Sequence, residues 1–189
     1  YYMKFLDNKI YITIFLLVIL LIETKAFAKD IEIHYRSENI SNYFLGIISA
    51  DKDNSNEAFR HLKKVQLLKN RHSNFNIEFI RTLILLGKFN QAFEFSESVW
   101  IEDEFLFEAD LLLGLDYFIK KDYINAEKHF ERLNKISWNN LYFEDFIGNV
   151  LIAWSRASQG DQEDSFQFLE KIPKSYYHVK RIQNIFLQC

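Results

Sequence analysis

Cysteine and proline are nearly absent from this chain of 189 residues, which has one of each and only five glycines. The single cysteine, Cys189, excludes an internal disulfide and a metal site built from cysteines. The scarcity of proline and glycine argues against a disordered tract or a β sandwich with many turns, and it favours long helices. The formal net charge is only −3, so the broad basic surface that nucleic-acid binding requires is missing.

Apolar residues, in contrast, are abundant. They make up 49% of the chain, and aromatic residues alone make up 17%. A chain of this length and composition can bury a sizeable core within one domain or one short array of repeats.

The N-terminal region resembles a secretory signal peptide. Two lysines between Met3 and Lys9 precede an apolar run that extends from Ile10 to Ile22. This run is shorter than the roughly 20 residues of a spanning helix. The triplet Ala26-Phe27-Ala28 has the small residues that a signal peptidase accepts, so cleavage is predicted between Ala28 and Lys29.

Residues 1–28 are therefore interpreted as a signal peptide, with residues 1–2 lying upstream of the initiator Met3. This predicts export, to the periplasm of a Gram-negative-like bacterium. The alternative is an inner-membrane anchor formed by residues 6–28, which bilayer thinning would accommodate. Residues 29–38 are interpreted as a linker.

Three alanines, Ala58, Ala92 and Ala126, recur at one fixed interval along the chain. Leu45-Gly46 and Leu113-Gly114 each end twelve residues before an alanine of this set. These motifs resemble the tetratricopeptide repeat family, whose repeat of about 34 residues has the length of this interval. The residues that fit its packing positions are Gly46, Ala58, Ala92, Gly114, Tyr117, Ala126, Phe130, Ala153 and Ser165.

The resemblance implies an all-α protein, an α-solenoid of antiparallel helix pairs wound into a right-handed superhelix. Small residues would lie where two helices approach closely, and Ile80, which replaces one of them, would hold its helices farther apart. Asp122 and Ser55 are placed to cap second helices. The predicted repeats are 39–72, 73–106, 107–140 and 146–179, the last displaced by five residues through an enlarged connection around 137–142.

A trailing helix is predicted to follow, up to residue 189. The residues Val179, Ile182, Ile185 and Phe186 recur at helical spacing and form one apolar face. Two interpretations of this face stay open: the chain belongs to a longer array, or Phe186 and Leu187 pack against another molecule.

Motifs for catalysis and metal binding are not found in the sequence. The five histidines lack ligand spacing and are interpreted as surface residues. Residues 51–56 begin like a calcium loop but lack its glycine and its final glutamate, so a turn is predicted. The acidic group Glu102, Asp103, Glu104, Glu108 and Asp110 is interpreted as capping a helix N-terminus. No enzyme, cofactor, metal, nucleic acid or small-molecule substrate is expected.

In the tetratricopeptide family the first helix of each repeat lines a concave groove. Carried over to this sequence, the groove positions are Tyr43, Ile47, Ile77, Arg81, Ile84, Leu111, Leu115, Phe118 and Trp154. Arg81 is the single cation among them, so a clamp for a terminal carboxylate is not expected. The groove either takes an apolar or amphipathic peptide or is covered, by residues 29–38 or by further repeats.

The resemblance thus implies a non-enzymatic, exported scaffold that mediates protein–protein interaction. The alternative is a helical accessory region of a larger cell-envelope enzyme whose catalytic part lies outside this sequence.

Overall fold

The computed structural model describes residues 36–136 and 146–188, which form helices joined by turns and short connections and contain no strand. It comprises nine α-helices and two short 3₁₀ segments, 63–68 and 174–176. The helices are α1 (Ser37–Asp51), α2 (Ser55–Leu62), α3 (Ser73–Leu85), α4 (Phe89–Val99), α5 (Phe107–Ile119), α6 (Tyr123–Lys135), α7 (Phe146–Ser158), α8 (Gln162–Glu170) and α9 (Tyr177–Gln188).

Each helix packs against its neighbours in the sequence, and the first helix α3 also contacts the first helices α1 and α5 on its two sides. The predicted all-α class is confirmed, and the arrangement is that of a helical repeat. Helix α1 begins at Ser37, so the last residues of the predicted linker, 37–38, are helical instead. The signal peptide with its cleavage site at Ala28 and Lys29, the rest of the linker, and the predicted connection at 137–142 lie outside the described residues.

The turn inside each helix pair has the same geometry in all four pairs. One residue adopts a left-handed conformation, with φ between 57° and 86°: Asp53, Gly87, Lys121 and Gly160. The next residue donates its backbone N–H to the carbonyl five residues earlier, with N–O distances of 2.9 Å. This is the Schellman motif, which satisfies the last carbonyls of a helix. The first three turns are equally spaced and the fourth follows at a longer interval, as in the predicted repeats.

The residue after the left-handed one is the N-cap of the second helix. Asn54, Asp122 and Asp161 each accept a hydrogen bond from the backbone N–H three residues on, at 3.3, 3.3 and 3.1 Å. The predicted cap at Asp122 is confirmed, whereas the one at Ser55 is wrong because its predecessor Asn54 takes that role. In the second pair Lys88 occupies the N-cap position, and its side chain forms no capping hydrogen bond.

Close approach explains the small residues. A Cβ added at Gly46 would lie 2.5 Å from Leu62, and one at Gly114 would lie 2.4 Å from the Phe130 ring. At the corresponding position of α3, Ile80 is fully buried, and α3 and α4 approach each other over fewer residues than α5 and α6 do. The remaining small packing residues are also fully buried: Ala58, Ala92, Ala126, Ala153 and Ser165.

The trailing helix α9 corrects one expectation. Leu187 was expected to face a longer array or another molecule, but it is 6% exposed and packs in a core with Ala153, Leu169 and Ile172. Its neighbour Phe186 is 61% exposed. The two residues lie on different sides of the helix, so only Phe186 remains on the outer face.

Candidate functional site

The predicted groove residues lie on the first helices of the pairs. Apart from Arg81, which is exposed, they are half-buried. Helix α1 carries Tyr43 and Ile47; α3 carries Ile77, Arg81 and Ile84; α5 carries Leu111, Leu115 and Phe118; α7 carries Trp154. Because α3 contacts both α1 and α5, eight of the nine residues lie on adjacent helices.

These half-buried side chains pack against the core on one side and are exposed on the other. Leu111, Leu115 and Phe118 pack against the buried cluster that contains Phe130 and Ile152. The indole Nε1 of Trp154 donates a hydrogen bond of 2.7 Å to Oε1 of Gln183 in α9. Helix α9 therefore covers part of the predicted groove at this end.

Arg81 is bound by two carboxylates of the same surface. Its guanidinium donates to Glu108 of α5 at 2.7 and 3.0 Å and to Glu78 of its own helix at 3.0 Å. Arg81 thus connects α3 to α5 and its charge is compensated. Glu108, predicted as a helix cap, is instead the partner of this arginine.

Each first helix buries a polar side chain one helical turn before the residue at which it approaches the second helix closely. That residue is Gly46, Ile80, Gly114 or Ala153. The sequence interpretation missed these polar side chains. The residues are Asn42, Asn76, Asp110 and Asn149, between 0% and 7% exposed. They recur along the chain at the same intervals as the turns. A search for periodic polar residues in register with the alanines would have found them.

In two of the pairs this polar residue is hydrogen-bonded to a histidine on the second helix. The histidine follows the polar residue by 19 positions in both pairs. Nδ1 of His61 donates to Asn42 at 2.9 Å, and Nδ1 of His129 donates to Asp110 at 3.0 Å. In the second pair Phe95 replaces the histidine. There Asn76 donates its amide to the Lys69 carbonyl, while its buried Oδ1 has no hydrogen-bond partner among the described residues.

Asp110 is the centre of a buried cluster that joins three elements. Its Oδ1 accepts hydrogen bonds from Trp100 after α4 at 2.9 Å, from His129 of α6 at 3.0 Å and from Arg132 of α6 at 2.8 Å. The Asp110 side chain is fully buried and those of His129 and Arg132 are 7% exposed. Two sequence interpretations are thus wrong: Asp110 is not a helix cap, and His129 is not a surface residue.

Burial in this cluster opposes the ionisation of Asp110. The hydrogen bonds from His129, Arg132 and Trp100 together outweigh burial, so the pKa of Asp110 lies below its ordinary value. The carboxylate is charged and compensates the guanidinium of Arg132. Removal of either partner would leave a buried charge without its counterpart.

Arg132 also fixes the connection between the second and third pairs. Its guanidinium donates to the backbone carbonyls of Ile101, Glu102 and Glu104 and lies 4.9 Å from the ring centroids of Trp100 and Phe105. The connection therefore cannot move without breaking a buried hydrogen-bond network. The residues 102–104, predicted to cap α5, lie in this connection, and α5 begins without a side-chain cap.

Beside Asn76 lies a cavity of about 410 Å³, lined by residues including Lys69, His72, Trp100 and Phe105 but by none of the predicted groove residues. Among the described residues, no group of three His, Cys, Asp or Glu side chains could hold a metal ion. Within 36–136 and 146–188, no helix has the length and apolarity needed to cross a membrane.

Comparison of the chain with protein-family models, with curated proteins and with solved structures gave no match.

Proposed function

We propose that the protein is a non-enzymatic scaffold of the tetratricopeptide type, a right-handed α-solenoid that binds apolar or amphipathic segments of other proteins. The binding surface is the face of α1, α3, α5 and α7 that carries the nine groove residues. The observation that carries the proposal is the line of half-buried apolar side chains on α1, α3 and α5, which are first helices that lie side by side. Apolar side chains in one line favour an apolar partner segment.

The recurring turn and buried polar residue support the repeat architecture. Both recur in all four pairs and in the same register, as expected if each helix pair is one copy of the same unit. The compensated charge of Arg81 fits a groove that holds its ligand by apolar contact. Arg81 retains N–H groups that can orient one carbonyl or acidic group of the ligand.

The test is a titration of a partner captured from the organism's extract. Truncation of the half-buried Leu115 to alanine should weaken binding by about 1–3 kcal/mol, as for a central anchor at an interface. Ile124, which is 77% exposed on the second helix α6, supplies the matched control: Ile124→Ala should leave affinity unchanged. Trp154→Ala should also weaken binding, although it additionally breaks the contact with Gln183.

Ionic strength separates this surface from a charged one. Apolar contact predicts an affinity that changes little with salt, because screening acts mainly on exposed charges. An affinity that collapses with salt and ignores Leu115 would place binding elsewhere on the molecule and refute the groove.

We also propose that the scaffold is exported. N-terminal sequencing of protein recovered from the periplasm should begin at Lys29. Recovery of the intact chain in the membrane fraction would contradict cleavage and favour the anchor.

A further inference from the structure

The cavity beside Asn76 lies between the two connections that flank the second helix pair. Its wall is formed by residues 69–73, which lead into α3, by Asn76, and by residues 98–101 and 104–106 around the connection between α4 and α5. Its volume of about 410 Å³ lies within the range of about 300–1,000 Å³ that is typical of sites for small molecules. The cavity is therefore large enough to hold a ligand.

The third pair fills the corresponding space with a side chain. There Arg132 of α6 reaches Asp110 of α5, with its Nε 2.8 Å from Oδ1. One repeat earlier, Ser98 corresponds to Arg132 and Asn76 corresponds to Asp110. Ser98 and Asn76 both lie in the wall of the cavity. The cavity thus lies where the second pair lacks a counterpart of the long arginine side chain.

Asn76 has one polar atom without a partner. Its amide Nδ2 donates to the carbonyl of Lys69 at 2.9 Å, whereas its Oδ1 is buried and accepts no hydrogen bond from the described residues. The hydroxyl of Ser98 does not supply a donor, because it donates to the carbonyl of Phe95 at 2.8 Å. A buried acceptor without a donor is unfavourable. A ligand that brings an N–H or O–H group to Oδ1 would remove this cost.

The wall of the cavity carries more positive than negative charge. Lys69 and Arg71 are cations, His72 becomes one when protonated, and Glu104 is the acidic residue among the described residues of the wall. The N-terminus of α3 also lies here, and its N-cap residue His72 forms no side-chain capping hydrogen bond. A helix N-terminus favours negative charge. These features select a ligand with an anionic group.

We propose that this cavity binds a small carboxylic acid with an apolar body and one N–H or O–H donor. The donor bonds to Oδ1 of Asn76, the carboxylate faces Lys69 and the N-terminus of α3, and the apolar body contacts Trp100 and Phe105. A single negative charge suits a wall that also contains Glu104. The site is separate from the predicted groove, whose residues do not line it, and the ligand is bound without reaction.

Phenyllactate is the probe, because it combines a carboxylate, a hydroxyl donor and an apolar ring. Isothermal titration calorimetry on the whole chain measures its dissociation constant. Phenylpropionate lacks only the hydroxyl and should bind several-fold more weakly, as for the loss of one hydrogen bond. The methyl ester of phenyllactate lacks the charge and should bind at least about tenfold more weakly, since hydrogen bonds to charged groups are the stronger ones.

Variants of the wall locate the site. Ser98→Arg fills the cavity with the side chain that the third pair uses and should abolish the binding of phenyllactate. Ser41→Arg is the matched control, because Ser41 is exposed on α1 and does not line the cavity, and it should leave the affinity unchanged. Asn76→Ala removes the acceptor, so phenyllactate and phenylpropionate should then bind equally. Circular dichroism should confirm that all three variants keep their helices.

The outcomes that would overturn the proposal are distinct. A parent protein that does not bind phenyllactate has no such site, and equal affinity for the methyl ester would exclude an anion site. Binding that persists in Ser98→Arg would place the ligand elsewhere. If that variant does not fold, Asn76→Ala decides: a preference for phenyllactate over phenylpropionate that survives this change would exclude Asn76 as the acceptor.

Discussion

The second helix pair consists of α3 and α4, and the third consists of α5 and α6. The two pairs have the same arrangement but pack with different side chains. They share the length of the repeat and the geometry of the turn. Four of the corresponding positions at which they differ concern packing and capping: Asn76 and Asp110, Ile80 and Gly114, Lys88 and Asp122, Phe95 and His129. The second pair is held by apolar volume, and the third by a close helix contact and a buried charged network.

This difference bears on the proposed binding surface. Helix α5 carries three of the predicted groove residues, and its Asp110 is tied to α6 and to the connection after α4. Helix α3 has no such network among the described residues, since the Asn76 amide bonds to a backbone carbonyl. If the proposed groove binds a partner segment, α5 presents a pre-organised part of it, which reduces the entropy lost on binding.

The largest effect is expected for Asp110→Asn. The change removes the charge that compensates the buried guanidinium of Arg132, so it should lower the free energy of unfolding by about 3–5 kcal/mol. Asn76→Ala is the matched change in the second pair and should cost about 1 kcal/mol, the value of one hydrogen bond. Urea denaturation followed by circular dichroism measures both, and equal losses would contradict the comparison.

At the position where the two helices of a pair approach closely, both a smaller and a larger side chain should lower the free energy of unfolding. Ile80→Ala leaves a cavity between α3 and α4 and should cost about 2–5 kcal/mol. Gly114→Ala places a Cβ within 2.4 Å of the Phe130 ring and should cost about 1–3 kcal/mol. The same denaturation assay applies. A Gly114→Ala protein as stable as the parent would show that α5 and α6 are not in tight contact.

Acid should weaken the third pair selectively. The pKa of Asp110 is lowered in the folded protein, so its contribution is present above the unfolded value of about 4 and is lost as pH falls through the folded value. The difference in stability between the parent and Asp110→Asn should therefore shrink below about pH 4, by at most about 1.4 kcal/mol per pH unit. A difference that stays constant between neutral pH and strong acid would exclude an ionised Asp110.

The smallest effect is expected at the helix cap. Lys88 has φ −86° and ψ 54°, close to the −88° and 72° of Asp122, so Lys88→Asp should place a cap on α4. We expect Lys88→Asp to raise the free energy of unfolding by about 0.5–1 kcal/mol, and the matched Asp122→Ala to lower it by about 1 kcal/mol. Thermal unfolding measures both changes. A loss on Lys88→Asp would mean that the contact of Lys88 with the Phe59 ring outweighs the cap.

The sequence predicted the helical class and the repeat spacing because small residues at close contacts leave a periodic trace, here Ala58, Ala92 and Ala126. It did not predict the buried network. Asp110 was grouped with the acidic residues 102–108, its neighbours along the chain, although its repeat register places it with Asn42 and Asn76. Proximity in the sequence was the wrong criterion, since burial in a repeat depends on register.

The turns show a second limit of prediction from the sequence. Gly87 and Gly160 are recognisable turn residues, but Asp53 and Lys121 adopt the same left-handed conformation, which residues with a side chain rarely do. The Schellman hydrogen bonds formed by the folded pair stabilise it there. Single-residue preference could not reveal this, because the hydrogen bonds at the end of the first helix decide the conformation.

The central claim is that a buried polar residue and a histidine on the facing helix hold the first and third pairs together, while the second pair lacks this contact. Double-mutant cycles test it directly, with Asn42→Ala and His61→Phe in the first pair and Asp110→Asn and His129→Phe in the third. The account predicts a coupling energy of at least about 1 kcal/mol in both cycles and near zero for Asn76→Ala with Phe95→Leu. Additivity within about 0.5 kcal/mol in the first and third pairs would contradict it.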